Sequence, residues 1–285
     1  MTARSELAEL AGRWRDDLAA WAIPDHILSA VSVSPWTQSA ALFAHRADAA
    51  LHAPRGPSHE RALEALPPGG AVLDVGAGAG AAGLPLAAAR RGSLIAVDLS
   101  ADMLDELADR AAALGVRSHC VRGRWPEVAG PPCTADVAVC KDVIYNVPEL
   151  PAFFAALTDH ARHRVVVELT ERHPLAPLNP LWLDLHGLRR PDRPVAGDAY
   201  AIAAAMGLRP KSVRWTRTTH GPYGTFDDLV EVVRTRLCLP AARAPDVAAA
   251  LRSLDADPAE PYLPGTRDRP AMTLWWPGRA DRPRG

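Results

Sequence analysis

Two acidic residues and a run of glycines have the types and spacing to bind a nucleoside. Asp74 begins the pattern Asp74-x-Gly76-x-Gly78-x-Gly80, and Asp98 ends the next apolar run along the chain. Glycines let a ligand approach the backbone closely, and the Asp98 carboxylate can accept hydrogen bonds from both hydroxyls of a ribose. The spacing therefore indicates a nucleoside site made of a glycine turn and an acid.

A strand, a turn and a helix must position these groups. The apolar run at 71–75 predicts a short buried strand that the glycines end, and the Ala- and Leu-rich residues 81–91 predict a helix whose N-terminus faces the turn. A dinucleotide fingerprint can be written as Gly78-x-Gly80-x-x-Gly83. It starts beyond the end of the strand and leaves Asp74 and Gly76 without a role, so a nicotinamide cofactor is the more distant alternative.

The glycine pattern and the stretch from Val97 to Leu104 together resemble the first two motifs of class I S-adenosylmethionine-dependent methyltransferases. The resemblance covers roughly residues 66–216 and 271–276. It implies a Rossmann-like α/β fold with a seven-stranded, mostly parallel sheet whose last strand is antiparallel, and S-adenosyl-L-methionine as cofactor. The cofactor-binding residues that it implies are Asp74, Gly76, Ala77, Gly78, Gly80, Asp98, Leu99, Met103, Gly123, Arg124, Trp125, Cys140, Lys141 and Asp142.

The third predicted strand exit departs from the family pattern. Many members carry an acid after the glycine, where it accepts from the adenine amino group, but here Arg124 follows Gly123 and can only donate. Arg124 or Trp125 could instead lie against the base. Trp125 could equally be a core anchor beneath the turn, and both interpretations stay open.

Strands and helices alternate after residue 70, which favours a parallel sheet with right-handed crossovers. Open sheets of this kind bind ligands at the carboxyl ends of their strands. The predicted strands cover 71–75, 94–98, 118–122, 135–140, 164–169, 211–216 and 271–276. Helices are predicted over 5–22, 39–51, 58–66, 81–91, 101–114, 151–162, 198–206, 225–237 and 245–254, with Ser100 and Thr225 as N-caps.

The residues outside the resemblance are predicted to form a cap, a lid and a helical insertion. Residues 1–66 read as a helical N-terminal cap, and residues 67–285 as the methyltransferase domain. Within that domain, the Pro-, Leu- and His-rich segment 171–197 is expected to be a partly helical lid, and 225–254 a helical insertion. The charged, Pro-rich tail from Pro277 to Gly285 is expected to be disordered.

No catalytic group is fixed by the sequence. A base near the fourth or fifth strand exit would suffice where the acceptor must lose a proton, and the weak candidates are Tyr145, His173 and His186. His186 lies among apolar residues, where a structural histidine is the more common role. Lys141 and Asp142 are more often a solvated or structural pair than catalytic groups. The four cysteines have no metal-binding spacing, and no metal is expected.

The composition of the chain argues against nucleic acid and membranes as partners. A net charge of −1 provides no global field for attracting nucleic acid or anionic lipid, and no apolar stretch has the length of a membrane span. We therefore expect a cytoplasmic transferase that methylates an oxygen or nitrogen of a small metabolite, with oligomeric state left open. An RNA- or protein-modifying methyltransferase, which would need a basic surface at the strand exits, and a noncatalytic cofactor-binding protein are the alternatives.

Overall fold

The computed structural model describes residues 3–29, 31, 35, 48, 51, 56–218 and 223–281. Its centre is one seven-stranded sheet with the order β3-β2-β1-β4-β5-β7-β6. β7 is antiparallel to β5 and β6, whereas the pairs among β1 to β5 are parallel. The strands are β1 (Ala71–Val75), β2 (Ser93–Asp98), β3 (Arg117–Arg122), β4 (Ala135–Lys141), β5 (Ala161–Thr170), β6 (Lys211–Thr218) and β7 (Asp268–Pro277). The predicted sheet is confirmed.

Ten helices lie among the described residues, not counting short 3₁₀ turns. They are α1 (Ala3–Ala19), α2 (Asp25–Leu28), α3 (Pro57–Ala65), α4 (Gly83–Arg90), α5 (Ala101–Ala113), α6 (Leu150–His160), α7 (Asn179–His186), α8 (Ala196–Ala205), α9 (Phe226–Arg236) and α10 (Ala244–Ser253). The Ser100 hydroxyl accepts from the Met103 amide, and Thr225 forms a capping box with Asp228. Both predicted N-caps are therefore confirmed.

The sheet is covered on both faces. One hydrophobic cluster joins its first face to α1, α6 and α8, and another joins its second face to α3, α4 and α5. Inward-facing residues alternate along the strands: Val165 and Val167 belong to the first cluster and Val166 to the second. Successive strand residues point to opposite faces of the sheet. The position of a residue in its strand therefore determines the face on which its side chain lies, including at the strand exits.

A third cluster lies apart from the sheet. It is formed by α2, α7, α9 and α10, and it includes Ile23, Trp182 and Leu229. We call these four helices the helical unit. The predicted lid and the predicted insertion thus share one core, which also includes part of the N-terminal segment.

Some predicted boundaries were wrong for identifiable reasons. Helix α4 begins at Gly83 rather than at residue 81, and the Gly83 amide at this start donates to Asp74 Oδ2 at 2.7 Å. The tail prediction fails for 277–281: the Gly278 and Arg279 amides donate to the His163 and Ala161 carbonyls, which continues the pairing of β7 with β5. The helix predicted over 39–51 falls outside the described residues except at 48 and 51.

None of the helices in the described part of the chain is both long and apolar enough to cross a membrane.

Candidate active site

The turn at residues 76–80, called the glycine turn below, needs its glycines. Gly76, Gly78 and Gly80 have φ values of 74°, 50° and 94°, a region that side chains disfavour. A Cβ on Gly76 would also lie 2.1 Å from Val143 Cγ2. The Gly76 and Ala77 amides both donate to the Val97 carbonyl, at 2.8 and 3.1 Å. The turn is thereby fixed against the end of β2 with an open backbone surface.

Asp98 lies directly against this turn. Its Oδ2 accepts from the Gly78 amide at 2.8 Å, and its Oδ1 accepts from the Ser100 amide at 2.9 Å. Each carboxylate oxygen has a second lone pair, so Asp98 can still accept from ligand hydroxyls. The neighbouring Leu99 is 57% exposed and provides an apolar surface beside Asp98.

Asp74 is buried beneath the glycine turn rather than exposed beside it. It is almost fully buried, and its Oδ2 accepts from the Gly83 amide at 2.7 Å. Burial raises the Asp74 pKa to about 7, while the hydrogen bond from Gly83 opposes that rise. Asp74 therefore fixes the start of α4 and supports the turn from below.

The third strand exit adjoins Asp98, because the Gly123 amide donates to the Asp98 carbonyl at 2.9 Å. Arg124 is exposed, 3.8 Å from Glu127. Trp125 is only 6% exposed and packs edge-on against His160. Of the two interpretations left open by the sequence, the structure places Trp125 as a core anchor, so Arg124 is the side chain available at this exit.

At the β4 exit, neighbouring residues point to opposite sides. Cys140 is buried in the first cluster, and burial raises the pKa of its thiol well above the usual value. Lys141 and Asp142 join Glu168 of β5 and Arg217 of β6 in a group that we call the ion cluster. Lys141 Nζ lies 3.3 Å from Glu168 Oε1, and Arg217 Nη1 lies 2.7 Å from Asp142 Oδ2 and 2.8 Å from Glu168 Oε1.

Glu168 is the buried centre of the ion cluster, with 3% of its surface exposed. Burial acts to raise its pKa, but Lys141, Arg217 and a hydrogen bond from the Ser58 hydroxyl together hold the pKa below its usual value. Ser58 also lies 2.8 Å from the Thr273 hydroxyl, so α3 is attached to β5 and β7 at this point. An ionised, fully paired carboxylate results.

A pocket opens beside the ion cluster. Its walls come from α3, from the start of α4 and from the ends of β4 and β5, and include Ser58, His59, Ala82, Lys141 and Glu168. Burial is the main cause that lowers the His59 pKa, and nearby Lys141 adds to it although Glu60 opposes the shift. His59 is therefore a neutral imidazole near neutral pH.

The three predicted base candidates are engaged elsewhere. Tyr145 is buried and its hydroxyl donates to the Thr170 carbonyl at 2.8 Å; burial raises its pKa. His173 stacks on Trp21 with ring centroids 3.9 Å apart, and burial followed by Arg190 and Arg269 lowers its pKa to about 4. These roles are structural.

His186 is held in the same way. Its Nε2 contacts the Leu237 carbonyl at 2.6 Å, and its ring stacks on Trp182 inside the helical unit. None of the three candidates lines the pocket beside the ion cluster. The groups that it does bring to the β4 and β5 exits include Ser58, His59 and Glu168, which sequence reasoning did not assign a role. An acid inside the apolar stretch Val165-Val166-Val167-Glu168-Leu169 was the available signal for one of them.

The strand order, the glycine turn and the adjoining acid define the Rossmann-like fold of a methyltransferase. The donor set suits S-adenosyl-L-methionine, which carries no phosphate. The glycine turn has an open backbone and no basic side chain of the kind that binds phosphate, and the Asp98 carboxylate can accept from ribose hydroxyls. Residues 72–164 match the family model described as a methyltransferase domain.

Solved structures agree with this fold. The YcgJ protein of Bacillus subtilis has a TM-score of 0.51 at 17% identity, covering 78% of this chain and 98% of its own. A protein of Galdieria sulphuraria, provisionally named sarcosine dimethylglycine methyltransferase, also gives 0.51, at 14% identity and 78% and 83% coverage. No curated protein matches the chain at a significant level. The chain therefore contains a methyltransferase domain at residues 72–164 and has the fold of the class I methyltransferases, whose cofactor is S-adenosyl-L-methionine.

Proposed function

We propose that this methyltransferase acts on an oxygen or nitrogen atom of a small organic metabolite. The observation that carries the proposal is that most of the arginines that could form a basic surface beside the later strand exits are buried or paired. A nucleic-acid substrate would require such a surface, because phosphate contacts dominate that kind of binding. The arginines that could form it are Arg189, Arg190, Arg193, Arg214 and Arg217.

Four of these five arginines are already engaged. Arg190 is buried, donates to the Ala22 carbonyl at 3.0 Å and lies over the rings of Trp21 and Trp182. The other three pair with carboxylates: Arg193 with Asp17 and Asp198, Arg214 with Glu171, and Arg217 with Asp142 and Glu168. Of the five, Arg189 alone is exposed without such a pair in the described part of the chain. The partner most compatible with this surface is a small molecule.

The proposed cofactor contacts follow the strand exits. The backbone of Gly76, Ala77, Gly78 and Gly80 faces the amino-acid part of the cofactor, Asp98 accepts from the ribose, and Leu99 and Met103 pack on the adenosine with Gly123 and Arg124 beside it. Cys140, Lys141 and Asp142 approach through their backbone at the β4 exit. Asp74 and Trp125 support this surface from beneath.

The cofactor supplies a methyl group that is already activated on a sulfonium. The chain then has to hold the acceptor in line and exclude water, and such positioning can lower a barrier by up to about 7–11 kcal/mol. This suits a site in which the tyrosine and histidine candidates are fixed in structural contacts.

We propose that residues 1–66 and the segment 171–197 cover this site. Ser58 and His59 of α3 line the pocket, and Ile23 and Ile27 pack with α7 of the lid segment in the helical unit. Residues 67–285 form the methyltransferase domain in this division, and 225–254 supply the remaining helices of the unit.

The test measures S-adenosylhomocysteine by mass spectrometry after the protein is incubated with S-adenosylmethionine and one of three fractions: metabolites, total RNA or denatured protein. We expect product with the metabolite fraction only. Product with RNA or protein alone would instead support a macromolecular acceptor. Tight cofactor binding without product on any fraction would support a noncatalytic protein.

A further inference from the structure

Lysine is rare in this chain, and one lysine lies in the pocket beside the ion cluster. Of the 32 residues that are lysine or arginine, only Lys141 and Lys211 are lysines. Lys141 lines the pocket, whereas Lys211 is exposed at the start of β6. A lysine ammonium is a compact point charge with three hydrogen-bond donors, unlike the planar fork of an arginine. The pocket therefore contains a small cationic group.

The ion cluster leaves most of the Lys141 ammonium free. Its ion-pair partner in the described part of the chain is Glu168, whose Oε1 lies 3.3 Å from Nζ. The Glu168 carboxylate has other donors, because Oε1 accepts from Arg217 at 2.8 Å and Oε2 accepts from the Ser58 hydroxyl. The Lys141 side chain is 35% exposed. Two of its three donors are therefore available to a ligand in the pocket.

His59 provides a second free group in the same pocket. It lies in the first turn of α3, and its ring makes no hydrogen bond with the described part of the chain. Because burial lowers its pKa, the imidazole is neutral near neutral pH and carries one N–H donor. The Lys141 charge also acts on this ring, so the two groups are close together. They present a cation and a neutral donor to one ligand.

The remaining walls of the pocket are apolar and adjoin the glycine turn. Leu86, Val139 and Val166 line the pocket and belong to the hydrophobic cluster on the second face of the sheet. Ala81 and Ala82 line it as well, and they directly follow the glycine turn at residues 76–80. The pocket is therefore continuous with the proposed cofactor surface, and it suits a charged group at the end of a hydrocarbon chain.

The charges around the pocket favour a carboxylate over a phosphate. Lys141 and Arg217 balance Asp142 and Glu168 in number, and Arg217 is bound to both acids. A phosphate monoester carries a charge of about −1.5 to −2 near neutral pH. One available ammonium and one neutral imidazole match a single negative charge better than two.

We infer that Lys141 and His59 bind a carboxylate in this pocket. Two molecules carry such a group to the strand exits: the cofactor, through its amino-acid end, or an acceptor that is a carboxylic acid. The continuity of the pocket with the glycine turn favours the cofactor, and its extension to the β5 exit favours the acceptor. In the second case the inference rests on the proposed function and narrows the acceptor to a small carboxylic acid.

Decarboxylated S-adenosylmethionine tests the first source, because it keeps the nucleoside, the sulfonium and the amine but has no carboxylate. Lys141→Met keeps the length of the side chain and removes its charge. For a cofactor carboxylate, we expect calorimetry to give at least tenfold weaker binding of S-adenosylmethionine, which is about 1.4 kcal/mol, and less than about twofold change for the decarboxylated form. His59→Phe keeps a ring without a donor and should show the same selectivity with a smaller loss.

Butyrate tests the second source, with butyramide as its uncharged counterpart. For an acceptor carboxylate, saturation-transfer NMR of protein saturated with S-adenosylhomocysteine should detect bound butyrate but not butyramide. Lys141→Met should then abolish the butyrate signal and leave the affinities for both forms of the cofactor unchanged. The two sources therefore give opposite patterns with the same variant.

The matched control is Lys211→Met, which removes the exposed lysine of β6 and should change none of these measurements. An equal loss of both cofactor forms in Lys141→Met would overturn the inference. Unchanged binding of both forms together with no butyrate signal would overturn it too, and both results leave the methyltransferase assignment intact. Failure of the unaltered protein to bind S-adenosylmethionine would contradict the proposed function instead, and butyrate binding to the ligand-free protein would then test the pocket.

Discussion

Asp98 links the glycine turn to the start of α5, because each of its carboxylate oxygens accepts one backbone hydrogen bond. We predict that Asp98→Ala weakens S-adenosylhomocysteine binding at least tenfold. A charge-assisted hydrogen bond contributes roughly 1.5–3 kcal/mol, and about 1.4 kcal/mol corresponds to one decade. Isothermal calorimetry measures the change, and an unaltered affinity would remove Asp98 from the site.

His173 makes stability depend on pH through its contact with Trp21. Its folded pKa of about 4 lies below the ordinary histidine pKa of 6.5, so the unfolded chain binds the proton more readily between these values. The His173 contribution to stability is fully present above about pH 6.5 and is lost as pH falls toward 4. Asp74, with its pKa raised to about 7, acts in the opposite direction as pH falls.

The variant His173→Phe keeps a ring against Trp21 but does not titrate. We predict that its free energy of unfolding, measured in urea at pH 7 and at pH 4.5, falls less on acidification than that of the parent chain. The difference should be roughly 1–3 kcal/mol for a shift of this size. Parallel pH profiles for the two proteins would contradict the role given to His173.

Single residues differ in how far the sequence alone could assign them. The contact between the glycine turn and Asp98 could be predicted from the sequence, because each follows a strand that the local sequence indicates and these two strands, β1 and β2, are paired. Their role in binding the cofactor stays a prediction. Trp125 and His173 depend on partners that are distant along the chain, His160 and Trp21. Local spacing contains no information about such contacts, so the histidine was read as a base candidate when its ring is stacked and buried.

At the scale of elements, the glycine turn packs closely against the β4 exit. Gly76 combines a φ of 74° with a Val143 methyl where its side chain would be. Gly69 offers a matched comparison, because its φ is 70° and nothing lies within 4 Å of its missing Cβ. The two glycines therefore separate backbone strain from crowding.

We predict that Gly76→Ala destabilises the protein by about 1–3 kcal/mol more than Gly69→Ala, since it adds overpacking to the same strain. Urea unfolding of both variants gives the difference. Adding Val143→Ala to Gly76→Ala should recover part of the loss because it removes the clashing methyl. Equal costs at the two glycines would show that the β1 and β4 exits are not tightly packed.

The order of the strands in the sheet also limited which contacts could be predicted from the sequence. Seven strands and most helix bounds were predictable from apolar periodicity and capping residues. The ion cluster was not, because it requires β7 to enter between β5 and β6 and Arg217 to reach back across it. The helical unit was missed as a unit for the same reason: α2, α7, α9 and α10 come from three separate stretches of chain and share a core only after folding.

The whole molecule consists of a covered sheet and a helical unit joined by packed aromatic residues. Trp21 stacks on His173, and Arg190 lies between the Trp21 and Trp182 rings, at 5.7 and 5.0 Å from their centroids. His173 in turn meets Tyr145 near the β4 exit. The β4 exit is therefore connected by packed rings to the helical unit as well as to the sheet.

Ligand binding to the folded chain should consequently raise the thermal midpoint of the protein. At a free concentration 100 times the dissociation constant, binding adds about 2.7 kcal/mol, and for a chain of this size that corresponds to roughly 5–10 °C. We predict this shift with S-adenosylhomocysteine in differential scanning fluorimetry. We expect no shift with reduced nicotinamide dinucleotide, because the glycine pattern begins at Asp74 inside β1, whereas the dinucleotide fingerprint would begin beyond the end of that strand. Asp98→Ala should reduce the shift at the same ligand concentration. Protection by the dinucleotide alone would reassign the turn to a phosphate-bearing cofactor.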